Sequence, residues 1–473
     1  METERVDVAV VGAGPGGYAA AFRAADLGLR VVMVDDGPKP GGVCLFRGCI
    51  PSKALLNVAN VIDEARGAKD FGVEFGEPNI DLAKMRSFKD GVIQKLTGGL
   101  GELSKRRKIR YVRGRASVAD PHTLEVDTHE GPNETIACEN VILATGSRPA
   151  RPKGLWIDSP RVMDSTGALD LERVPSTLLV VGGGYIGLEL GSVYASLGSR
   201  VSVVEMTAGL LPGVDRDLVR VLQRRLGSSF ESILLETQVS SVEEAADGIH
   251  VRVSDKDGEN KELVFDKVLV SVGRQPNGAV PGLEKTKVKV DGRGFIVADR
   301  QRRTAEPSIF AIGDVAGEPM LAHKASAEGK IAAEVIVGEN GAAFDPRAIP
   351  AVVFTEPEIA WCGLTESEAS AKGIAFQVAR FPWEASGRAL SMGHGRGLTK
   401  LLIDPESERI LGAGFVGAGA GELVSESVLA IEMGATANDL ALSMHPHPTL
   451  SETVMEAAEA FFGQATHIYR PKR

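Results

Sequence analysis

Two cysteines five positions apart, Cys44 and Cys49 in the run GGVCLFRGCIPSK (residues 41–53), carry the strongest chemical signal in the sequence. Pro51 is tolerated in the first turn of a helix, where it has no needed N–H to lose, so a helix is predicted to open here and run through Ser52, Lys53 and Ala54. Its N-terminus points at Cys49. The partial positive charge of that terminus favours thiolate over thiol, which makes Cys49 the activated member of a redox pair with Cys44. Two inert buried cysteines are the plain alternative, but a charged, glycine-flanked setting favours reactivity. Zinc is disfavoured because only Cys138 and Cys362 remain, neither in a CxxC pair nor near a histidine cluster, and no metal site is expected.

A second chemical signal lies in HPHPTLSET (residues 445–453). His447 precedes a proline, which restricts it to an extended backbone. Glu452 follows on the first turn of a helix that Thr449 or Ser451 would cap. A histidine oriented by a carboxylate is a general acid/base dyad. The competing reading is a surface turn with a helix-capping glutamate; beside a cysteine pair that needs a proton acceptor, the dyad is the better one.

These groups must be positioned by larger elements, and the chain supplies one unit twice. VAVVGAGPGGYAAAFRAADLGLRVVMVDD and LLVVGGGYIGLELGSVYASLGSRVSVVEM each read as an apolar strand, a glycine turn, a helix ending at Leu-Gly, and a second strand closing on an acid. That is a βαβ dinucleotide-binding unit. In the first, Gly12, Gly14 and Gly17 let the backbone approach a pyrophosphate and Asp35 accepts ribose hydroxyls; in the second, Gly182, Gly184, Gly187 and Glu205 do the same. Glu205 repels a ribose phosphate, and Met206, Thr207 and Ala208 supply no arginine to bind one, so NAD is favoured over NADP there. Two dinucleotide sites and a redox cysteine pair imply two electron carriers in series, most naturally a flavin and a nicotinamide.

The strands VILATG and KVLVSVG stop at Gly146 and Gly273, which are expected to border the cofactors, and SIFAIGDVAG delivers Asp314 to a turn before an Ala-rich helix. From about Ile349 strands and helices alternate in an α+β pattern. A chain of 473 residues is too long for one core. Its net charge of −10, with no basic block, gives no reason to expect nucleic acid as a partner. No apolar run reaches the length of a bilayer span, and METERVDVAVVG leads straight into a strand without a targeting segment, so a cytoplasmic protein with no membrane partner is expected.

Taken together, these motifs resemble the flavin-dependent pyridine nucleotide-disulfide oxidoreductases over nearly the whole length. The marks are GAGPGG with Asp35, GGVCLFRGCIPSK, ATGSRP, GGGYIGLE with Glu205, VGRQPN, AIGDVAG, LAHKA (321–325) and HPHPTLSE. LAHKA and the NAD-type second site narrow the resemblance toward the dihydrolipoamide dehydrogenases. The resemblance implies an α/β chain with two Rossmann-like dinucleotide-binding domains, for FAD and NAD, plus a C-terminal α+β dimerisation domain. The expected limits are 1–148 (FAD, with the redox disulfide), 149–272 (NAD), 273–348 (a return to the FAD or central region) and 349–473 (interface).

The resemblance further implies that Cys44 is the interchange sulfur, that Cys49 lies nearer the flavin, and that His447, oriented by Glu452, reaches the site from the partner subunit of a homodimer. Lys53 and Glu189 match a pair beside the reactive part of the flavin, and Asp314 matches the acid on its ribityl chain. The residues alone would read Lys53 as a surface lysine and Glu189 as an ordinary helix glutamate. The implied reaction oxidises a dihydrolipoyl group and reduces NAD. With no lipoyl domain at the N-terminus, the substrate arm is expected on a lipoyl-bearing acyltransferase of a 2-oxo acid dehydrogenase complex or on the lipoyl protein of glycine cleavage. Asp35, where the family more often has glutamate, and Phe46 and Arg47, where many members have Asn and Val, depart from the pattern. The rivals are another FAD-dependent disulfide reductase, of glutathione or mercuric type, and a flavin redox sensor without turnover.

Overall fold

The computed structural model describes residues 5–469; the outermost residues included in the limits 1 and 473 lie outside the described residues. The strand Arg5–Val11 is Val/Ala-rich with its last four residues buried, as a strand covered on both faces must be. It lies between Val31–Asp35 and Glu134–Leu143, parallel to both. Ile309–Ala311 returns from far along the chain to pair in parallel with Glu134–Leu143. The hairpin of Arg110–Asp120 and Thr123–Thr128 closes the other side, since Arg110–Asp120 runs parallel to Val31–Asp35 before turning antiparallel. The helix Pro15–Asp26, with Pro15 in its first turn, connects the first two strands and packs its alanine face inward.

A second parallel sheet repeats the plan in the order Ser232–Leu234, Arg200–Val204, Thr177–Val181, Lys267–Val270 and Val162–Met163. Tyr185–Ser196 is its crossover helix. An antiparallel sheet of Thr237–Ala245, Gly248–Asp255 and Asn260–Phe265 covers one side. Two short strands, Ser147–Pro149 and Arg274–Pro276, pair antiparallel where the chain passes between the two large sheets. From Ala351 onward a five-stranded antiparallel sheet, with the helices Ala420–Met433 and Glu452–Phe462 on it, forms the last layer. The α/β class with two dinucleotide-type sheets and an α+β C-terminal unit is therefore what the chain adopts.

The last sheet is tied to the second parallel unit by a buried charge cluster. Lys400, with no exposed surface, places its ammonium 2.7 Å from Asp215, 3.0 Å from Asp217 and 2.5 Å from Glu366. Arg380 adds a second cation to Asp217 and Glu366. Three carboxylates drawn together in this way resemble a metal cage, but the lysine occupies the cation position. Among the described residues no helix is long and apolar enough to cross a membrane.

Candidate active site

The redox segment is built from two helices rather than the single one predicted. Gly42–Arg47 is a short helix carrying Cys44, Gly48 breaks it, and Cys49 is the first residue of the helix Cys49–Gly67. Gly42 has φ +59°, and a Cβ there would stand 2.4 Å from the Cα of Gly14, so the cysteine segment lies directly on the first glycine turn. Gly41 N–H donates to the Ala13 carbonyl at 2.8 Å and fixes the same contact.

Both cysteines are thiols in this structure, Cys44 half-buried and Cys49 open to the cleft. A hydrogen bond from Cys44 holds Cys49 down to about 7, against the opposing effect of burial; the Lys53 charge and the helix backbone N–H help, and Glu189 opposes. The same hydrogen bond, with burial and the neighbouring thiolate, pushes Cys44 up. The pair thus loses its first proton from Cys49. Burial pushes Cys138 and Cys362 up to about 12, which leaves them inert.

Lys53, one turn along the Cys49 helix, reaches across to the second unit. Its ammonium lies 2.7 Å from Glu189, whose side chain is 4% exposed. The other Glu189 oxygen accepts from Phe354 N–H at 3.0 Å, and the Phe354 ring lies under the Lys53 ammonium at 4.5 Å. A surface lysine and an ordinary helix glutamate, the reading from the residues alone, is therefore corrected: the two form one pair, joining residues 136 apart in sequence.

The acids at the ends of the two βαβ units are used identically. Asp35 accepts from Ala13 N–H and from Gly37 N–H, each at 2.7 Å. Glu205 accepts from Gly183 N–H at 2.8 Å and from Thr207 N–H at 2.7 Å. Each carboxylate braces its own glycine turn from 22 residues away and retains lone pairs for ribose hydroxyls. Asp35, one methylene shorter than glutamate, still reaches its turn. Gly12 and Gly182 sit at the same left-handed position of the two turns, at φ +100° and +107°. A Cβ on Gly17 or Gly187 would strike the carbonyl oxygen of Gly12 or Gly182, so the helix approaches its strand closely in both units.

One cleft joins the first turn to the cysteines. Its walls include Gly12, Gly14, Asp35, Gly146 and Asp314 together with Cys44, Cys49, Lys53 and Glu189. Within the cleft the Ser147 hydroxyl donates to Asp314 at 2.5 Å. Arg274 donates to the Ser147 hydroxyl at 2.8 Å and to its carbonyl at 2.9 Å, so it props this junction. Arg274 and Tyr185 both line the cleft, and the sequence reading missed both; their only signal was their place in VGRQPN and GGGYIG. Behind Asp314, Glu328 is fully buried, accepts from Gly313 N–H at 2.6 Å, and pairs with Arg302 at 2.9 Å and Lys324 at 3.0 Å. A glycine-lined cleft that holds a braced ribose acid, the polar Ser147–Asp314 pair and two thiols fits a flavin dinucleotide. The duplicated turn at Gly182, Gly184 and Gly187 with Glu205 fits a second dinucleotide without a ribose phosphate, because Arg216, the next arginine in the chain, directs its donors at the carbonyls of Leu210, Leu211 and Val214. Gly273, at φ +117°, accepts from Ala150 N–H and is not among the residues lining the cleft.

His447 and Glu452 form their pair, Nδ1 to Oε1 at 2.9 Å, while the other Glu452 oxygen accepts from Thr449 N–H at 2.8 Å. The expected side-chain cap is corrected. Ser451 stands at the N-cap position, but its hydroxyl oxygen accepts no helix N–H, and the Thr449 hydroxyl donates to the Pro446 carbonyl and bonds to Ser451. The first helix N–H groups are met by backbone carbonyls instead, Thr453 donating to Leu450 at 3.1 Å and Val454 to Ser451 at 3.0 Å. The His447 side chain is 74% exposed and does not line the cleft of its own chain. Nearby, Leu429, Met433, Leu442 and Met444 are all exposed, an apolar face of the kind that subunits cover.

Comparison with known proteins agrees with this layout. The model of the pyridine nucleotide-disulphide oxidoreductase family matches residues 6–329, and that of the family's dimerisation domain matches 349–458. Dihydrolipoyl dehydrogenase of Vibrio cholerae is 49% identical over 99% of this chain and 98% of its own. The Thermus scotoductus protein of that name is 47% identical over 98% of each. Among solved structures, LpdA from Mycobacterium tuberculosis superposes with a TM-score of 0.88 at 27% identity, over 96% of this chain and 100% of its own. The HOCl-induced flavoprotein disulfide reductase RclA from Escherichia coli gives 0.84 at 28% identity, over 95% and 98%.

Proposed function

The chain belongs to the pyridine nucleotide-disulphide oxidoreductase family, and from that premise we propose that it oxidises a dihydrolipoyl group on a carrier protein to the cyclic disulfide and passes the electron pair to NAD. The observation that carries the reading is the activated Cys49, held by Cys44 and Lys53 in a cleft that also holds a braced ribose acid. FAD, held by the first glycine turn, Asp35 and Asp314, supplies when bound the electron acceptor for the cysteine pair, and NAD at the second turn and Glu205 is the final hydride acceptor.

The chain's own residues do the rest. Glu452 holds the Nδ1 side of the imidazole and leaves Nε2 to take a proton from one dihydrolipoyl thiol. Because His447 stands away from the cleft of its own chain, the partner subunit's His447 performs this step in a homodimer built on residues 349–458. In the oxidised enzyme Cys44 and Cys49 are joined; the substrate thiolate attacks the Cys44 sulfur, a mixed disulfide forms, and Cys49 leaves as a thiolate. The second dihydrolipoyl sulfur attacks the first, closes the lipoyl ring and releases Cys44, which leaves as a thiol with the proton that this second thiol gives up. The helix N-terminus, Cys44 and Lys53 hold the charge left on Cys49. The carrier is the lipoyl arm of a 2-oxo acid dehydrogenase acyltransferase or of the glycine-cleavage lipoyl protein, acting in the cytoplasm.

An NADP-linked reductase of glutathione type is disfavoured by Glu205 and by the engaged Arg216. The test is steady-state assay of the FAD-loaded enzyme. Dihydrolipoamide with NAD should yield NADH, and Cys44→Ser should abolish it. Faster turnover of glutathione disulfide with NADPH would replace this reading.

A further inference from the structure

A second cavity, of about 580 Å³, adjoins the cleft just described: Val43, Arg47, Ser147 and Asn277 line both, and the helix Ser165–Asp170 contributes to each. Ser165 and Leu169 line the cleft, whereas Thr166, Gly167 and Asp170 line the cavity. Its volume is in the range of small-ligand sites. None of the glycines or acids assigned to the two dinucleotides lines it.

Its chemistry turns on Lys267, the first residue of the buried strand Lys267–Val270. Lys267 is 7% exposed, and among the described residues the one hydrogen-bond partner of its ammonium is the thioether sulfur of Met163 at 3.7 Å. Burial pushes this lysine down, Arg173 adds to the effect, and Glu172 opposes it. Among the described residues no carboxylate lies within ion-pair distance of this buried ammonium, whereas Lys400 and Lys324 each have one. Two further cations, Arg148 and Arg47, border the same space, and Arg148 donates to an amide oxygen of Asn277 rather than to a carboxylate. The fourth, Arg151, is already paired with Asp164 at 2.7 Å and lies over the Trp156 ring at 4.0 Å. The acids Asp170 and Glu172 are exposed on the rim. Apolar groups, among them Val162, Met163 and Pro149, complete the wall.

We propose that this cavity is a binding site for a small organic anion, a carboxylate or phosphate monoester with an apolar body, whose charged end supplies the missing partner of Lys267. Arg47 lines both this cavity and the cleft, so an occupant would stand against the segment that joins the two cysteines.

The test is titration calorimetry on the FAD-loaded enzyme with benzoate, phenyl phosphate and the uncharged benzamide, each repeated with NAD saturating. The site predicts saturable binding of at least one anion, no binding of benzamide, and no competition from NAD. Preference between benzoate and phenyl phosphate identifies the anion. Lys267→Met, which fills the space with a side chain of similar length, should weaken the anion about tenfold or more, as loss of a charge-assisted contact does. Arg148→Gln, on an exposed side chain, provides a second variant with the same expected direction. The proposal is overturned by failure of both anions to bind, by equal affinity in both variants, or by displacement with NAD. None of these readouts depends on turnover of dihydrolipoamide, so failure here is separable from failure of the proposed reaction.

Discussion

The hydrogen bond from Cys44 is the largest influence holding Cys49 near 7 rather than at the ordinary 9.0. That interval corresponds to about 3 kcal/mol of thiolate stabilisation. A donor to a thiolate favours the deprotonated form, so its removal raises the value at which Cys49 titrates. Cys44→Ala should carry Cys49 above about 8, which lowers its thiolate fraction at neutral pH from about one half to under about one tenth. Cys44→Ser keeps an O–H donor and should stay near the parent. The assay is the pH dependence of iodoacetamide alkylation of the reduced, FAD-loaded protein, read at Cys49 by peptide mass. Cys138 and Cys362, pushed up to about 12 by burial, should remain unmodified across the range. An unchanged Cys49 midpoint in Cys44→Ala would show that helix terminus and Lys53 suffice, and would refute the assignment of Cys44 as the donor that sets it.

Other outcomes follow from the same geometry. Glu452→Gln weakens the hold on His447 Nδ1 and should lower dihydrolipoamide turnover by about 10²-fold, with flavin content unchanged; retained turnover would remove the dyad from the reaction. Glu205→Ala removes the acceptor of two backbone N–H groups and the repulsion toward a ribose phosphate. The Michaelis constant for NAD should rise about tenfold and the preference over NADP should narrow, both read by steady-state kinetics. Lys400→Met removes the ammonium from Asp215 and leaves Asp217 and Glu366 with Arg380, and should destabilise the protein by about 3 kcal/mol in denaturant unfolding.

What the chain reveals before folding depends on how local each feature is. The two glycine turns, their acids and the helix opening at Cys49 are local: their geometry follows from residues within one βαβ unit or one helical turn. Even the parallel bracing by Asp35 and Glu205 is implicit in the equal spacing of the repeats. Lys53 and Glu189 are different. Their pairing depends on two units meeting, and nothing within either helix distinguishes them from solvent-facing residues, so only a family resemblance pointed to them. Arg274 is legible for the same reason only in the fold, because its partner Ser147 lies 127 residues away. The loop before Glu452 departs from a local rule: Thr449 and Ser451 have good capping chemistry, but the Leu450 and Ser451 carbonyls accept the first helix N–H groups and neither side chain caps. The short helix at Cys44 was missed because the Gly41–Gly42 turn that starts it is set by contact with Ala13 and Gly14.

The central claim is that electrons pass from a dihydrolipoyl thiol through Cys44 and Cys49 to NAD. Rapid anaerobic mixing of the FAD-loaded enzyme with dihydrolipoamide, followed by NAD, tests it most directly. The flavin absorbance should change on addition of the thiol and recover as NADH forms. A flavin spectrum unmoved by dihydrolipoamide yet bleached by NADH would uphold the nucleotide sites and contradict the disulfide substrate.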